Sequence, residues 1–298
     1  MNYYSLLPTI QRKPLIKTYD CVFSSGLGLG DALCASSFFH SAKEQNQIKC
    51  IKTSAGHFHN LRGLMPDAIE EFQAERFPLG SSGEYDVGNG MLSQRFQRIL
   101  GLTPDLKPRN RLITKEKVNK KKIAICFRTG QSAFHKTAYQ HPRQLTPESI
   151  PIIQEFINQN NHKYEFLEFG QKKFGLNGVI DKTGLEIVAS AIELSKCQYY
   201  IGLNSGFMHL ANAFWHIKCV ILVNIPHASN LYLPVIKDVK GADDIEWLLP
   251  HHPILFMGGS NEIVPELSID NLHRALNDEV YPYGRTECLE LIHDKRIY

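Results

Sequence analysis

Three short segments carry residue types and spacings suited to gripping a phosphorylated ligand. The first is Ser24-Ser25-Gly26-Leu27-Gly28-Leu29-Gly30-Asp31. Gly28 and Gly30 let a backbone turn sharply and approach a ligand closely, and a helix starting there offers unpaired N–H groups with partial positive charge. Asp31 also suits the plainer task of capping that helix. The second segment is Tyr199 to Ala213, in which Asn204-Ser205-Gly206 joins an apolar run to an apolar helical pattern. Where a strand's carboxyl end meets a helix N-terminus, the N–H groups of Ser205 and Gly206 can face a diphosphate. His209 lies one helical turn further on the face of Ser205, either as part of that site or as a buried histidine held by a backbone carbonyl. The third segment is Arg128-Thr129-Gly130 with Lys136, His141, Pro142 and Arg143. Arg128 follows a strand pattern and can grip phosphate in bidentate fashion; as a basic loop, the segment also reads as solvated surface.

Other chemistries fit less well. A dinucleotide-binding turn requires a third glycine where Asp31 stands, and an acidic ribose ligand about 20 residues later, where the chain reads Lys49-Cys50-Ile51-Lys52. An NAD site is therefore disfavoured. His57-x-His59 and His251-His252 have no evident carboxylate or cysteine partners, Asp243-Asp244 reads as a helix start, and no D-x-D follows a strand. Neither a metal nor an organic cofactor is expected.

The elements needed to hold these segments alternate between strand and helix. Thr18–Ser24, Ile48–Ser54 and Ile69–Phe72 read as strands, with helices over Asp31–Glu44 and Met91–Leu100. Residues 103–122 carry two prolines and many basic side chains, and read as a junction. Beyond it, strands are predicted at Lys122–Phe127, Lys163–Phe169, Tyr199–Gly202, Cys219–Asn224 and Ile254–Met257. Helices are predicted at Thr146–Asn160 (Thr146 as N-cap, Pro147 at the first helical position), Leu185–Lys196, Gly206–Trp215 and Ile269–Asn277. Such alternation implies parallel sheets with helical crossovers.

The 298 residues suit two α/β domains, taken as 1–115 and 116–298. With 43% hydrophobic and 21% charged residues, the chain is globular rather than disordered. A formal charge of +3 is too mild to point to nucleic acid. Seven cysteines form no C-x-x-C pair, and five lie in or beside apolar strand-like runs. They read as reduced core thiols of a cytoplasmic protein. No signal peptide is evident, and no apolar run approaches the ~18 residues of a membrane span.

Taken together, the three segments resemble the lipopolysaccharide heptosyltransferase-like glycosyltransferases (family nine, GT-B fold). Gly30-Asp31 followed by Ala32-Leu33-Cys34-Ala35-Ser36-Ser37 is similar to that family's G-D-x-L-x-x-x-P segment. Asp181-Lys182-Thr183-Gly184 and the pattern after it resemble D-x-T-G with its A-x-L helix. Ile201 to Ala211 is similar to G-x-D-S-G-x-x-H-L-A, with Asn204 in place of the aspartate and Ser36-Ser37 where the first segment has its proline. The resemblance implies two Rossmann-like domains with parallel sheets facing across a cleft, the first acceptor-side and the second donor-binding. It implies inverting, metal-independent transfer of a sugar, heptose among the candidates, from a nucleotide-diphosphate donor such as ADP-heptose to a bacterial surface glycan or lipid in lipopolysaccharide or capsule synthesis. Asp31 would be the base, with Gly28 and Gly30 at the acceptor-side turn. Arg128, Thr129, Lys136, Asn204, Ser205, Gly206 and His209 would form the donor site. Two other readings stay open: a nucleotide-sugar epimerase or hydrolase, and a non-catalytic nucleotide-sugar-binding subunit. Lysines 115, 117, 120, 121 and 122 suggest either peripheral contact with the inner face of the cell membrane or a solvated strand flank.

Overall fold

A computed structural model of the chain describes residues 20–23, 29–30, 33, 50–53, 61, 64, 76–77, 112–128, 145–203, 205–224, 252–257 and 265–280. Its strands fall into two parallel sheets. The smaller sheet contains β1 (Asp20–Phe23), β2 (Cys50–Thr53) and β3 (Arg76–Phe77) in the order β2-β1-β3. Arg76–Phe77 is a strand that the sequence pattern did not suggest, whereas Ile69–Phe72 and the helix at Met91–Leu100 lie outside the described residues. Leu29 and Gly30 are already helical, two residues ahead of the predicted start at Asp31.

The larger sheet comprises β4 (Asn119–Cys126), β5 (Glu165–Glu168), β6 (Val179–Asp181), β7 (Cys197–Leu203), β8 (Lys218–Asn224) and β9 (Ile254–Met257). Their spatial order, β6-β5-β4-β7-β8-β9, is the 3-2-1-4-5-6 arrangement of a doubly wound Rossmann sheet. Strand order reverses between β4 and β7, where Cys126 pairs with Gly202. Ligands of open α/β sheets bind at the carboxyl ends of the strands beside such a switch point.

Among the described residues, four helices flank this sheet: α1 (Ser149–Asn160), α2 (Ile187–Ser195), α3 (Gly206–Ala213) and α4 (Ile269–Leu276). Strand side chains alternate between the two faces. Ile123 and Ile125 of β4, Ile201 and Leu203 of β7, and Leu222 of β8 form one apolar cluster with Ile153, Phe156 and Ile157 of α1 and Leu272 and Ala275 of α4. Within it the Phe156 ring packs edge-on to Phe166 of β5 at 6.0 Å, and each such buried side chain contributes ~2–3 kcal/mol of apolar burial. On the other side, α2 packs against β7, and α3 packs against β7 and β8. Ser268 caps α4 by accepting from Asn271 N at 3.1 Å, with Asp270 in the first turn as the helix dipole favours.

Several element ends differ from the sequence pattern. Thr146 does not cap α1: its carbonyl accepts from Ser149 N at 3.0 Å, closing a turn through Pro147 and Glu148 from which the helix emerges at Ser149. β4 begins at Asn119 rather than Lys122, because Asn119 pairs with Cys197 of β7 and its N–H donates to Lys196 O at 2.8 Å, ahead of a register shift after which pairing resumes at Ile123. The junction is tied to both halves of the chain, since Leu112 N donates to Ala213 O at 2.8 Å and Ile113 N to Leu64 O at 2.7 Å. Among the described residues no helix is long and apolar enough to cross a membrane.

Candidate donor site

The site is assembled where β4, β5 and β7 end. Tyr200 of β7 is fully buried, and two residues on, Gly202 leaves room for its ring to lie along the strand. A methyl group at Gly202 would come within 2.6 Å of the Tyr200 hydroxyl and 2.5 Å of the Cys126 carbonyl oxygen. The hydroxyl thereby reaches the end of the strand, making long contacts of 3.5 Å with Leu203 O and Ser205 Oγ. Burial drives the Tyr200 pKa well above its ordinary value and pushes the Cys126 thiol up to about 12. Both therefore act as neutral packing groups beneath the turn.

Above this floor, Ser205 is extended and buried, and α3 begins at Gly206. The Ser205 carbonyl accepts from Met208 N at 3.0 Å and His209 N at 3.3 Å, so the helix is closed from its first turn, leaving the leading N–H groups directed along the axis at the sheet's carboxyl edge. The tilted Phe169–Phe207 pair, 6.1 Å between ring centroids, joins the end of β5 to the start of α3.

Against this helix start lie Leu29 and Gly30 from the first glycine segment. A methyl group at Gly30 would fall 2.8 Å from His209 Cδ2, and one at Gly206 would fall 2.9 Å from Leu29 Cβ and 3.3 Å from Gly30 N. The two glycines permit each other's neighbours to touch. His209 is 3% exposed, its ring filling the space over Gly30. The ring is thus buried at the seam between the two segments.

Arg128 is exposed just beyond β4, its guanidinium carbon 5.7 Å from the centre of the Phe174 ring. Ser205, Gly206, His209, Gly30 and Arg128 all belong to elements that converge on this edge of the sheet. Gly28, Asp31, Thr129, Lys136 and Asn204 lie outside the described residues, as do His141, Pro142 and Arg143. The Asp181-Lys182-Thr183-Gly184 segment makes a local turn: Asp181 Oδ1 accepts from Thr183 N at 2.9 Å and Thr183 Oγ1 at 2.7 Å. Those bonds and Lys173 hold the Asp181 pKa down at about 2.

Two residues escaped the sequence reading. Glu168, at the end of β5, is only 1% exposed; its Oε1 accepts a short hydrogen bond from Phe174 N, and its Oε2 has no hydrogen-bond partner among the described residues. Burial raises its pKa. The available signal was a charge inside the otherwise apolar run Phe166-Leu167-Glu168-Phe169 of a parallel sheet covered on both faces. Phe174, in a turn, gave no periodic signal.

A Rossmann-ordered sheet and a second parallel sheet define an α/β fold of the GT-B type. Among solved structures, the family 9 glycosyltransferase from Veillonella parvula DSM 2008 has this fold, with a TM-score of 0.57 and 11% identity over 90% of this chain and 98% of that one. Two further similar structures are the iron-containing dodecameric glycosyltransferase TibC of enterotoxigenic E. coli H10407 (TM-score 0.49, 17% identity, 70% of this chain) and the E. coli ADP-heptose lipopolysaccharide heptosyltransferase II (TM-score 0.47, 12% identity, 88% and 98% of the two chains). The chain spans 58% of the length of TibC. No protein-family profile and no curated protein matches the sequence.

Proposed function

We propose that the protein is an inverting glycosyltransferase that moves a sugar from a nucleotide-diphosphate donor, ADP-heptose foremost, to a bacterial surface glycan or glycolipid. The observation that carries this reading is the seating of Leu29 and Gly30 against Gly206 and His209 at the switch-point edge. Leu29 and Gly30 directly precede Asp31 in the chain, and the helix start they touch is the kind of terminus suited to a diphosphate. In this reading, residues 1–115 form the acceptor side and residues 116–298 the donor side.

In this reading the residues divide the work as follows. Asp31 takes the proton of an acceptor hydroxyl as its oxygen attacks the anomeric carbon, and the bond from that carbon to the diphosphate oxygen breaks on the opposite face. Charge gathering on the leaving diphosphate is met by Arg128, Lys136 and the N–H groups at Ser205 and Gly206. Thr129 and Asn204 complete the donor contacts, the buried His209 backs the helix start against Gly30, and Gly28 and Gly30 let the acceptor-side turn come close. Transfer proceeds without a metal in this scheme. Support for a nucleotide-sugar donor comes from the resemblance over Ile201 to Ala211 and from the helix start at Gly206 on the carboxyl edge of the sheet. A soluble catalyst touching the inner membrane face through its basic junction would suit a lipid acceptor.

Thermal shift with ADP-heptose and with UDP-, GDP- and CMP-sugars tests the donor directly. A true donor at a hundredfold over its Kd stabilises the fold by about 2.7 kcal/mol, an upward shift of several degrees. Asp31→Ala should keep that shift and lose transfer by at least a hundredfold. Retained turnover removes Asp31 from the base role, and donor cleavage without an acceptor converts the assignment to a hydrolase.

A further inference from the structure

The end of β5 holds a buried carboxylate that the transfer scheme does not use. Glu168 pairs with Ile125 of β4 on one side and Asp181 of β6 on the other, so its backbone is fixed at the carboxyl edge. Its carbonyl accepts from Lys182 N at 2.8 Å, while Phe169 N donates to Ile125 O at 2.8 Å. The chain then bends through 170–172 and returns, so that Phe174 N donates to Glu168 Oε1. A second tie holds the same bend, from Lys173 Nζ to Asp181 Oδ2 at 3.0 Å.

This anchoring fixes where the Phe174 ring sits. One side of the ring meets Phe127 in an edge-on contact at 6.1 Å and 73°. The Arg128 guanidinium lies over the ring, 5.7 Å from its centre. Arg128 itself is exposed, and an exposed arginine samples many rotamers unless something orients it. An aromatic face restricts that sampling while leaving the N–H fork free for phosphate oxygens.

We propose that Glu168 and Phe174 are positioning residues: the buried carboxylate fixes the Phe174 backbone, and the Phe174 ring holds the Arg128 guanidinium ready for the donor diphosphate. The inference rests on the reading of Arg128 as a donor-phosphate ligand. It adds a reason for a polar side chain to be buried in an apolar strand run: its oxygen is the acceptor that holds the Phe174 amide.

The test is a double-mutant cycle read as Kd by calorimetric titration with ADP, UDP and GDP, following whichever binds tightest. Arg128→Ala should weaken binding at least tenfold. Phe174→Leu should weaken it about three- to fivefold, the scale of one exposed cation–π contact, and Phe174→Tyr should restore it. Glu168→Leu should behave like Phe174→Leu, while Glu168→Gln, which keeps an acceptor for Phe174 N, should stay within about twofold of the parent. In the Arg128→Ala background, Phe174→Leu and Glu168→Leu should add nothing further. A merely structural role would weaken binding equally in both backgrounds, and that result overturns the proposal, as does full affinity in Phe174→Leu. If Glu168→Leu fails to fold, Phe174→Leu and its tyrosine control decide alone. Failure of the parent to bind all three nucleotides overturns the donor reading too. Tight binding untouched by Arg128→Ala removes Arg128, and this inference, while leaving the nucleotide site intact.

Discussion

Glu168 and Asp181 lie side by side on β5 and β6, yet their surroundings drive their acidities apart. Asp181 is held down at about 2 by hydrogen bonds from Thr183 and by Lys173, whereas burial raises Glu168. The signs of their contributions to stability are therefore opposite. Asp181 binds its proton more weakly in the folded chain, so its contribution is full above the ordinary aspartate value of ~3.9 and is lost as pH falls through about 2. Glu168 binds its proton more tightly when folded, so its burial penalty is absent below the ordinary glutamate value of ~4.3, grows as pH rises from there to the raised native value, and is full above it. Urea midpoints measured from pH 2 to pH 7 should separate the two. Relative to the parent, Asp181→Asn should be less stable at neutral pH, with the deficit closing toward pH 2. Glu168→Gln, keeping an acceptor for Phe174 N while removing the buried charge, should gain on the parent as pH rises. A deficit for Glu168→Gln that widens with pH would contradict this account.

At the scale of elements, the switch point depends on β4 and β7 lying close enough for Tyr200 to brace the start of α3. The Gly202→Ala methyl would meet a backbone oxygen at 2.5 Å as well as the Tyr200 hydroxyl at 2.6 Å. The side chain could be relieved, but the Cys126 carbonyl belongs to the ladder. Gly202→Ala is therefore expected to cost about 1–3 kcal/mol in urea unfolding, and adding Tyr200→Phe should not restore it. Recovery in the double variant would locate the conflict in the hydroxyl alone. The glycine stood in the sequence as part of Ile201-Gly202-Leu203-Asn204-Ser205-Gly206 with no role of its own, and the structure shows that it serves strand packing. The apolar runs of β4, β7, β8 and β9 were also legible, because a parallel strand buried on both faces must be apolar along most of its length. Their ends were not: polar Asn119 pairs with Cys197 ahead of a register shift, and no apolar run marks that pairing. The three-residue β6, with Ile180 46% exposed, is too short to generate a period. Likewise the Glu168–Phe174 bond links a strand to a turn and follows no spacing rule that a sequence scan would test.

At the scale of the molecule, the two motif-bearing segments, about 175 residues apart in the chain, meet through a pair of glycines that exclude side chains from each other's space. The partners of the two contacts differ in kind. The Gly206→Ala methyl would press on Leu29 Cβ, which cannot retreat unless its backbone moves, whereas the Gly30→Ala methyl would press on the His209 ring, which can be removed by mutation. Gly206→Ala should therefore separate the segments whatever else is changed. Gly30→Ala should be correctable: combined with His209→Ala, the added methyl occupies part of the space the ring vacates. Each single variant is expected to lower the urea midpoint, and the double variant should be more stable than the sum of the two losses by about 1 kcal/mol or more, the coupling of residues in direct contact. Donor-induced thermal stabilisation should follow the same order, weakest in Gly206→Ala and partly recovered in the double variant. Strict additivity in both measurements would show that Gly30 and His209 act independently, and that some other contact brings the two halves of the site together.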